Sequence, residues 1–316
     1  MNFPTISLGL SHLKDQYITS SNTSSYKQPL VMAAVNENVP TSFYTWLAQE
    51  AVFHATSALF EWLDKTGTVK RFKIRAVDRK PYAHYLRQVL FNQFFILLPS
   101  MLATEYFGLC FTGPTIEAHH WGRVLMSLVG MAVGHDIVQY ITHRFLLHQP
   151  NVFLMRALRH SVHHSTGATR AISACYMSAP DFFLEIVLPY LVPLALVGGG
   201  GSSITFHSLV AGLGAIGGLY EHSGYDLSVN LRAGGEANRD GSEQVLLSTI
   251  ASKFLDNRSH AQHHVRGNVS FSDGFGSPGI SDTIFGTRWD LAAAKRRVEH
   301  AEKEWQRQHA ELSQPR

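Results

Sequence analysis

The sequence predicts an all-α fold, an integral-membrane helical bundle built from transmembrane hairpins with a histidine-rich cap on its cytosolic side. Three observations carry this reading. Several stretches are long, apolar and nearly free of charge. Charged residues make up 16% of the chain, against roughly 25% in an average soluble domain. Eighteen histidines are present, and eight of them fall into three tight groups: His143-x4-His148, His160-x2-His163-His164 and His260-x2-His263-His264.

Residues 1–41 are mixed and polar, with SSNTSSYKQP in the middle, and read as a variable N-terminal arm without the apolar core and cleavage site of a signal peptide. Residues 42–63 form an amphipathic helix candidate whose Gln49, Glu50 and His54 suit packing on the bundle or at the interface. The basic stretch 65–85 reads as a surface connection near anionic headgroups or a solvated loop. Residues 88–112 and 121–142 each have the length and apolarity to cross a bilayer core of about 30 Å, and the short link 113–120 makes them an antiparallel hairpin. Residues 182–197 and 204–220 suggest a second hairpin around the GGGGSS turn, with Pro189 and Pro193 expected to kink its first member. Nothing after Tyr220 is long and apolar. Two hairpins then place 143–180 and 221–316 on one side of the membrane, so all three histidine groups share a compartment. Residues 42–291 form the membrane catalytic domain on this reading, and 292–316 a charged C-terminal helix.

Composition excludes several classes. A formal charge of +3 offers no basic face for nucleic acid. The two cysteines, Cys110 and Cys175, lie in no metal-type spacing. GLGAIG at 212–217 has the letters of a dinucleotide fingerprint, but it sits inside an apolar stretch with no strand before it. Small residues easing helix packing explain it better.

The histidine spacing has a direct geometric meaning. In a helical HxxHH, the first and last histidines are i,i+4 and point the same way, while the middle one diverges from the last by about 100°. One pair can therefore chelate one metal while the third ring reaches another, and two such forks facing each other hold two metals. The i,i+5 pair His143 and His148 diverges by about 140° in an unbroken helix, so the helix must end, tighten or bulge near Leu147. His222 returns to the same face just after an apolar helix. The candidate ligands are thus His143, His148, His160, His163, His164, His222, His260, His263 and His264. Asp136 and Tyr140 lie two turns and one turn before His143 on the same helix and are candidate catalytic residues, with His135 beside them. His12, His54, His84, His119, His120, His207, His300 and His309 read as surface or hydrogen-bonding residues.

An all-imidazole set of this size exceeds what a hydrolytic zinc site needs and suits two irons that activate dioxygen. The ordered motifs resemble the fatty acid hydroxylase/sterol desaturase superfamily of integral-membrane non-haem di-iron oxidases, over about residues 85–290. LFNQFFILLP precedes the first box as in the C-4 methylsterol oxidase branch. HDIVQYITHRFLLH, RHSVHHS, EHSGYDL, the group at 260–264 and DTIFGTRW follow in the order of the superfamily. The resemblance implies two iron ions, dioxygen as cosubstrate, and electrons from cytochrome b5 or a related carrier with an NAD(P)H reductase. It also implies a sterol, terpenoid or fatty-acyl-type lipid substrate. The expected location is the endoplasmic reticulum membrane, multi-pass, with the histidine boxes and both termini cytosolic.

Two departures stand out. The first box has four intervening residues where many sterol-oxidising members have three. Ala179 stands before Pro180 where relatives often carry histidine, which leaves room for a specialised sterol or terpenoid oxidase. The competing readings are an inactive or repurposed metal-binding protein of lipid binding or transport, and a zinc-dependent lipid hydrolase or isomerase. No HExxH motif supports the hydrolase, and a transporter would place its ligands near the membrane midplane.

Overall fold

A computed structural model describes residues 39–77, 80–112, 121–148, 153–228, 255–272 and 279–312. Within them every regular element is helical, joined by one isolated antiparallel bridge between Lys73 and Tyr225. Residues 1–38 of the N-terminal arm and the 113–120 link lie outside the described residues.

Helix α1, Thr41–Thr66, begins where the Glu105 carboxylate accepts the backbone N–H groups of Thr41 (2.9 Å) and Ser42 (2.8 Å). An acid at a helix N-terminus satisfies free donors and the positive end of the dipole together. Gly67, in the left-handed region, closes the helix by donating to the Leu63 carbonyl.

Helices α2 (Tyr82–Tyr106), α3 (Trp121–Leu147) and α6 (Ala179–Leu196) are long and apolar enough to cross a membrane, by length and composition. At 1.5 Å per residue, the 25 residues of α2 span about 37 Å. Much of their surface is apolar and outward-facing, with Phe95, Leu125, Met126 and Leu196 all exposed. Short helices α4 (Phe153–Leu158) and α5 (Ser161–His164) connect α3 to α6. Helix α7 (Ile204–His222) follows α6, and α8 (Arg258–Arg266), α9 (Ile280–Ile284) and α10 (Trp289–Leu312) complete the chain.

The second member of the expected second hairpin is less apolar than the other spans, yet His222 at its end returns to the histidine groups that Asp181 at the head of α6 also meets. Residues 204–220 do form a helix, but among the described residues only α2, α3 and α6 have the length and apolarity of a span. Glycines and His207 dilute α7, which packs on α1 and buries Phe206, Leu219 and Tyr220. GLGAIG lies in the middle of this helix, where a Cβ built on Gly212 would lie 3.7 Å from the Val52 side chain on α1. The first span also starts earlier than expected, at Tyr82, because Tyr85 and Val89 are fully buried and extend its core-facing side.

Each of the three long helices contains one wide π turn: Gln93–Leu97, His143–Leu147 and Phe183–Val187. In α2 and α6 the π turn ends two residues before a proline, Pro99 and Pro189. A proline ring clashes with the carbonyl four residues back, and a widened turn accommodates it. This is how the chain absorbs Pro189 without ending the helix. Helices α3 and α6 then pack closely. A Cβ built on Gly134 would lie 2.7 Å from the Pro193 Cβ.

The basic connection 65–85 behaves differently from a headgroup-facing loop. Lys73 is buried and donates to Asp64 (2.5 Å) and to the carbonyls of Thr169 (3.1 Å) and Ser223 (2.7 Å). Arg75 donates to the Ala261 carbonyl at 3.0 Å. This segment therefore straps together three chain regions that border the histidine groups.

Candidate metal centre

The nine predicted ligands converge into two buried groups. His143, His148, His160, His164 and His263 form one, and His163, His222, His260 and His264 the other; within each group the ligand atoms lie within 4.8 Å of one another. The two HxxHH forks cross. His160 and His164, on one face of α5, join the five-histidine group, while His163 turns to the other. On α8 the pair His260 and His264 belongs to the four-histidine group and His263 reaches across. This crossing follows from the helical 100° step.

The first box reaches its group through the π turn of α3. The His148 N–H donates to the His143 carbonyl at 3.0 Å, five residues back. The ring centroids of the pair come to 4.8 Å. Of the three ways the helix was expected to bring them together, it bulges.

Backbone carbonyls set the tautomers. Nδ1 of His143, His222 and His263 donates to the carbonyls of Phe271 (2.8 Å), Gly218 (2.9 Å) and Val269 (2.7 Å). A carbonyl only accepts, so the proton sits on Nδ1 and the Nε2 lone pair points inward. Gly267, at φ 65°, ends α8 and turns the chain so that Val269 comes back under His263.

The Nε2 atoms approach one another closely: 3.3 Å between His143 and His160, 3.2 Å between His148 and His164, 3.1 Å between His164 and His263. In the second group the His222 Nε2 lies 3.0 Å from those of both His163 and His260. Lone pairs so near repel unless a cation or proton lies between them. A divalent ion with metal–nitrogen bonds of about 2.1 Å separates adjacent donors by about 3.0–3.4 Å. Both ring nitrogens of buried His264 have no hydrogen-bond partner among the described residues. The donor set therefore fits two metal ions, one per group.

Burial and the neighbouring imidazoles hold His163, His260, His263 and His264 well below the usual histidine pKa, and lower His164 to about 4. These rings stay neutral and ready to donate. His160 is the exception. Burial alone would discharge it, but Glu185 and Asp181 outweigh that and raise it to about 10. Its Nδ1 donates to Asp181 Oδ1 at 2.9 Å.

Asp181 and Glu185 are the site residues that the sequence reading missed, and with His160 they form a third candidate metal-holding group. Their signal was present: two acids i,i+4 at the head of an otherwise apolar span, where ionisable groups are costly and by default functional. Ser178 caps the helix and Pro180 starts it, which aims Asp181 back at α5.

The two candidate catalytic residues lie behind the ligands. Asp136 is fully buried and accepts from Ser281 N (2.8 Å), Ile280 N (2.9 Å) and Ser272 Oγ (3.2 Å). It fastens α3 to the start of α9 and to the residue after Phe271. Tyr140 stacks on Phe285 with centroids 4.9 Å apart, and its hydroxyl accepts from Arg144. Both contacts support the wall carrying Phe271, whose ring lies against His143, His148 and His263. Among the histidines read as non-ligands, His207 Nε2 donates to the Gly201 carbonyl at 2.8 Å, near the glycine turn, and His300 faces Glu304 on exposed α10.

Comparison with known proteins adds two matches. The sequence profile of the family described as fatty acid hydroxylase matches residues 128–287, just over half of the chain and all nine histidines. The rat (Rattus norvegicus) protein methylsterol monooxygenase 1 is 35% identical over 112 residues, which cover 33% of this chain and 37% of the rat protein. The match thus spans well under two thirds of that relative's length. No solved structure matches the chain.

Proposed function

This chain belongs to the fatty acid hydroxylase family, and from that premise we propose that it is a membrane-bound di-iron oxygenase acting on a sterol or a related lipid. The observation that carries the reading is the pair of adjacent buried histidine groups at the ends of long apolar helices. The activity for which the rat relative is named supports a methylsterol-type substrate over a fatty-acyl one. A terpenoid remains within the same chemistry.

Two irons, when bound, would supply the activation of dioxygen and the oxidising power needed at an unactivated C–H bond. The chain's own residues do the rest. Apart from His160, whose proton has to leave on loading, the five- and four-histidine groups hold both ions with neutral donors. Backbone carbonyls at Phe271, Gly218 and Val269 lock the rings so that the donors are preorganised. The apolar faces of α2, α3 and α6 admit and orient an alkyl skeleton, which fixes the position of the reacting carbon. Asp136 and Tyr140 act as positioning residues for the first box.

We place the protein in the endoplasmic reticulum membrane with the histidine boxes and both termini cytosolic. Electrons then come from cytochrome b5 or a related carrier with an NAD(P)H reductase. The test is turnover under labelled dioxygen. Full-length protein in nanodiscs, loaded with ferrous iron and supplied with cytochrome b5 and its reductase, is given a C-4-methylated sterol and a fatty-acyl lipid in parallel. Iron-dependent incorporation of labelled oxygen into the sterol is expected. Turnover that persists without iron and dioxygen, or with zinc alone, overturns the oxygenase reading.

A further inference from the structure

The carboxylate of Glu185 lies against both histidine groups. Its Oε2 is 3.4 Å from Nδ1 of His160, in the five-histidine group, and its Oε1 is 3.6 Å from Nε2 of His163, in the four-histidine group. These contacts differ in kind. The His160 nitrogen is the one that already donates to Asp181. The His163 nitrogen is the ligand atom itself, 3.0 Å from the Nε2 of His222.

Glu185 sits on the π turn of α6 with a side chain 5% exposed, and its Oε2 has no hydrogen-bond partner among the described residues. A carboxylate so withdrawn from water is costly, and the cost is offset by a nearby cation; Oε2 has the His160 ring beside it, which leaves Oε1 facing the His163 ligand atom. On bonds of about 2.1 Å, two donors 3.6 Å apart subtend about 120° at a shared metal, an ordinary angle between ligands. The two groups are also unequal, five histidines against four.

We propose that Glu185 is a carboxylate ligand of the four-histidine site, giving each metal five protein donors. The inference rests on the di-metal reading above. It makes the two sites chemically distinct, one all-nitrogen and one with an anionic oxygen. Hard oxygen donors favour the higher oxidation state of a metal, so the four-histidine ion becomes the easier of the two to oxidise.

The experiment is an anaerobic titration of the detergent-purified full chain with ferrous iron, followed by metal counting and Mössbauer spectroscopy. Wild type, Glu185→Gln and Glu185→Asp are compared, with His164→Ala and His264→Ala used to assign each quadrupole doublet to its group. We expect two irons in wild type. In Glu185→Gln one site keeps wild-type affinity and the other weakens at least about tenfold, and the lost doublet is the one lost in His264→Ala. Two irons at wild-type affinity with both doublets unchanged overturns the proposal, as does loss of the His164→Ala doublet instead. Where the Gln variant does not fold, Glu185→Asp decides. It keeps the charge but withdraws the oxygen by one methylene, so loss of the same doublet supports ligation and retention of both refutes it. Absence of iron binding in wild type removes the di-metal reading together with this inference, whereas two-iron binding unaffected at position 185 removes the inference alone.

Discussion

His143 and His148 are five residues apart, yet they face one centre because a single π turn carries the His148 N–H back to the His143 carbonyl at 3.0 Å. Deleting Leu146 shortens the spacing to i,i+4, which an ordinary α-helix already points to one side. The deletion variant is expected to retain the five-histidine metal within a few-fold in affinity, with the π turn replaced by α-helix. Inserting an alanine after Leu146 makes the spacing i,i+6, which leaves the two rings about 120° apart in an α-helix. We expect that variant to lose the five-histidine ion by about 10–100-fold. Metal counting on both purified proteins checks the pair of outcomes.

The crossed forks give a second prediction. His260 and His263 lie in one motif on one helix, but they belong to different groups. His263→Ala should weaken the same ion as His164→Ala, at least about tenfold, and His260→Ala the same ion as His264→Ala. Ferrous titrations of the four variants, compared by Mössbauer doublet, read this directly. Grouping of the losses by motif instead of by geometry would show that the forks do not cross.

Asp136 holds the start of α9 and Ser272 through three hydrogen bonds. Asp136→Ala leaves the Ile280 and Ser281 N–H groups without their acceptor, while Ser272 keeps Asp282, and should cost about 1–3 kcal/mol. Iron per folded chain is expected to stay near two. Thermal unfolding in detergent measures the first and metal analysis of the folded fraction the second. Full stability combined with abolished turnover would return Asp136 to a direct catalytic role.

Gly134 lets α3 meet α6 at Pro193, where an added Cβ would stand 2.7 Å from the ring. Alanine gains about 1 kcal/mol of helix propensity over glycine. Overpacking against a rigid ring costs about 1–3 kcal/mol. Gly134→Ala should therefore lower the unfolding temperature modestly, whereas Gly122→Ala, with open space around it, should not.

Much of the site was legible because helical spacing is a strong constraint. The 100° step alone predicted that His163 and His263 would part from their neighbours, and the i,i+5 spacing of His143 and His148 predicted a distorted turn. The spans were legible from apolarity, apart from α7. There the letters ITFHSLVAGLGAIGG are apolar in pattern but too rich in glycine and histidine to match the others. Lys73 was misread because a basic run looks solvated until the backbone closes over it, and its partners Asp64, Thr169 and Ser223 are distant in sequence. Asp181 and Glu185 were missed for the opposite reason. They were absorbed into a hydrophobic stretch, although an acid there needs a partner. Asp136 and Tyr140 were read as candidate catalytic residues, and only tertiary contacts reveal that they face α9 and Phe285.

The account stands most directly on the number of metal ions that nine histidines hold. Anaerobic ferrous titration of the full-length protein, counted by inductively coupled plasma mass spectrometry after removal of free iron, measures it. Two irons per chain, distinguishable by spectrum, with one lost in His164→Ala and the other in His264→Ala, is the predicted result. A single iron per chain, or both variants losing the same ion, would contradict it.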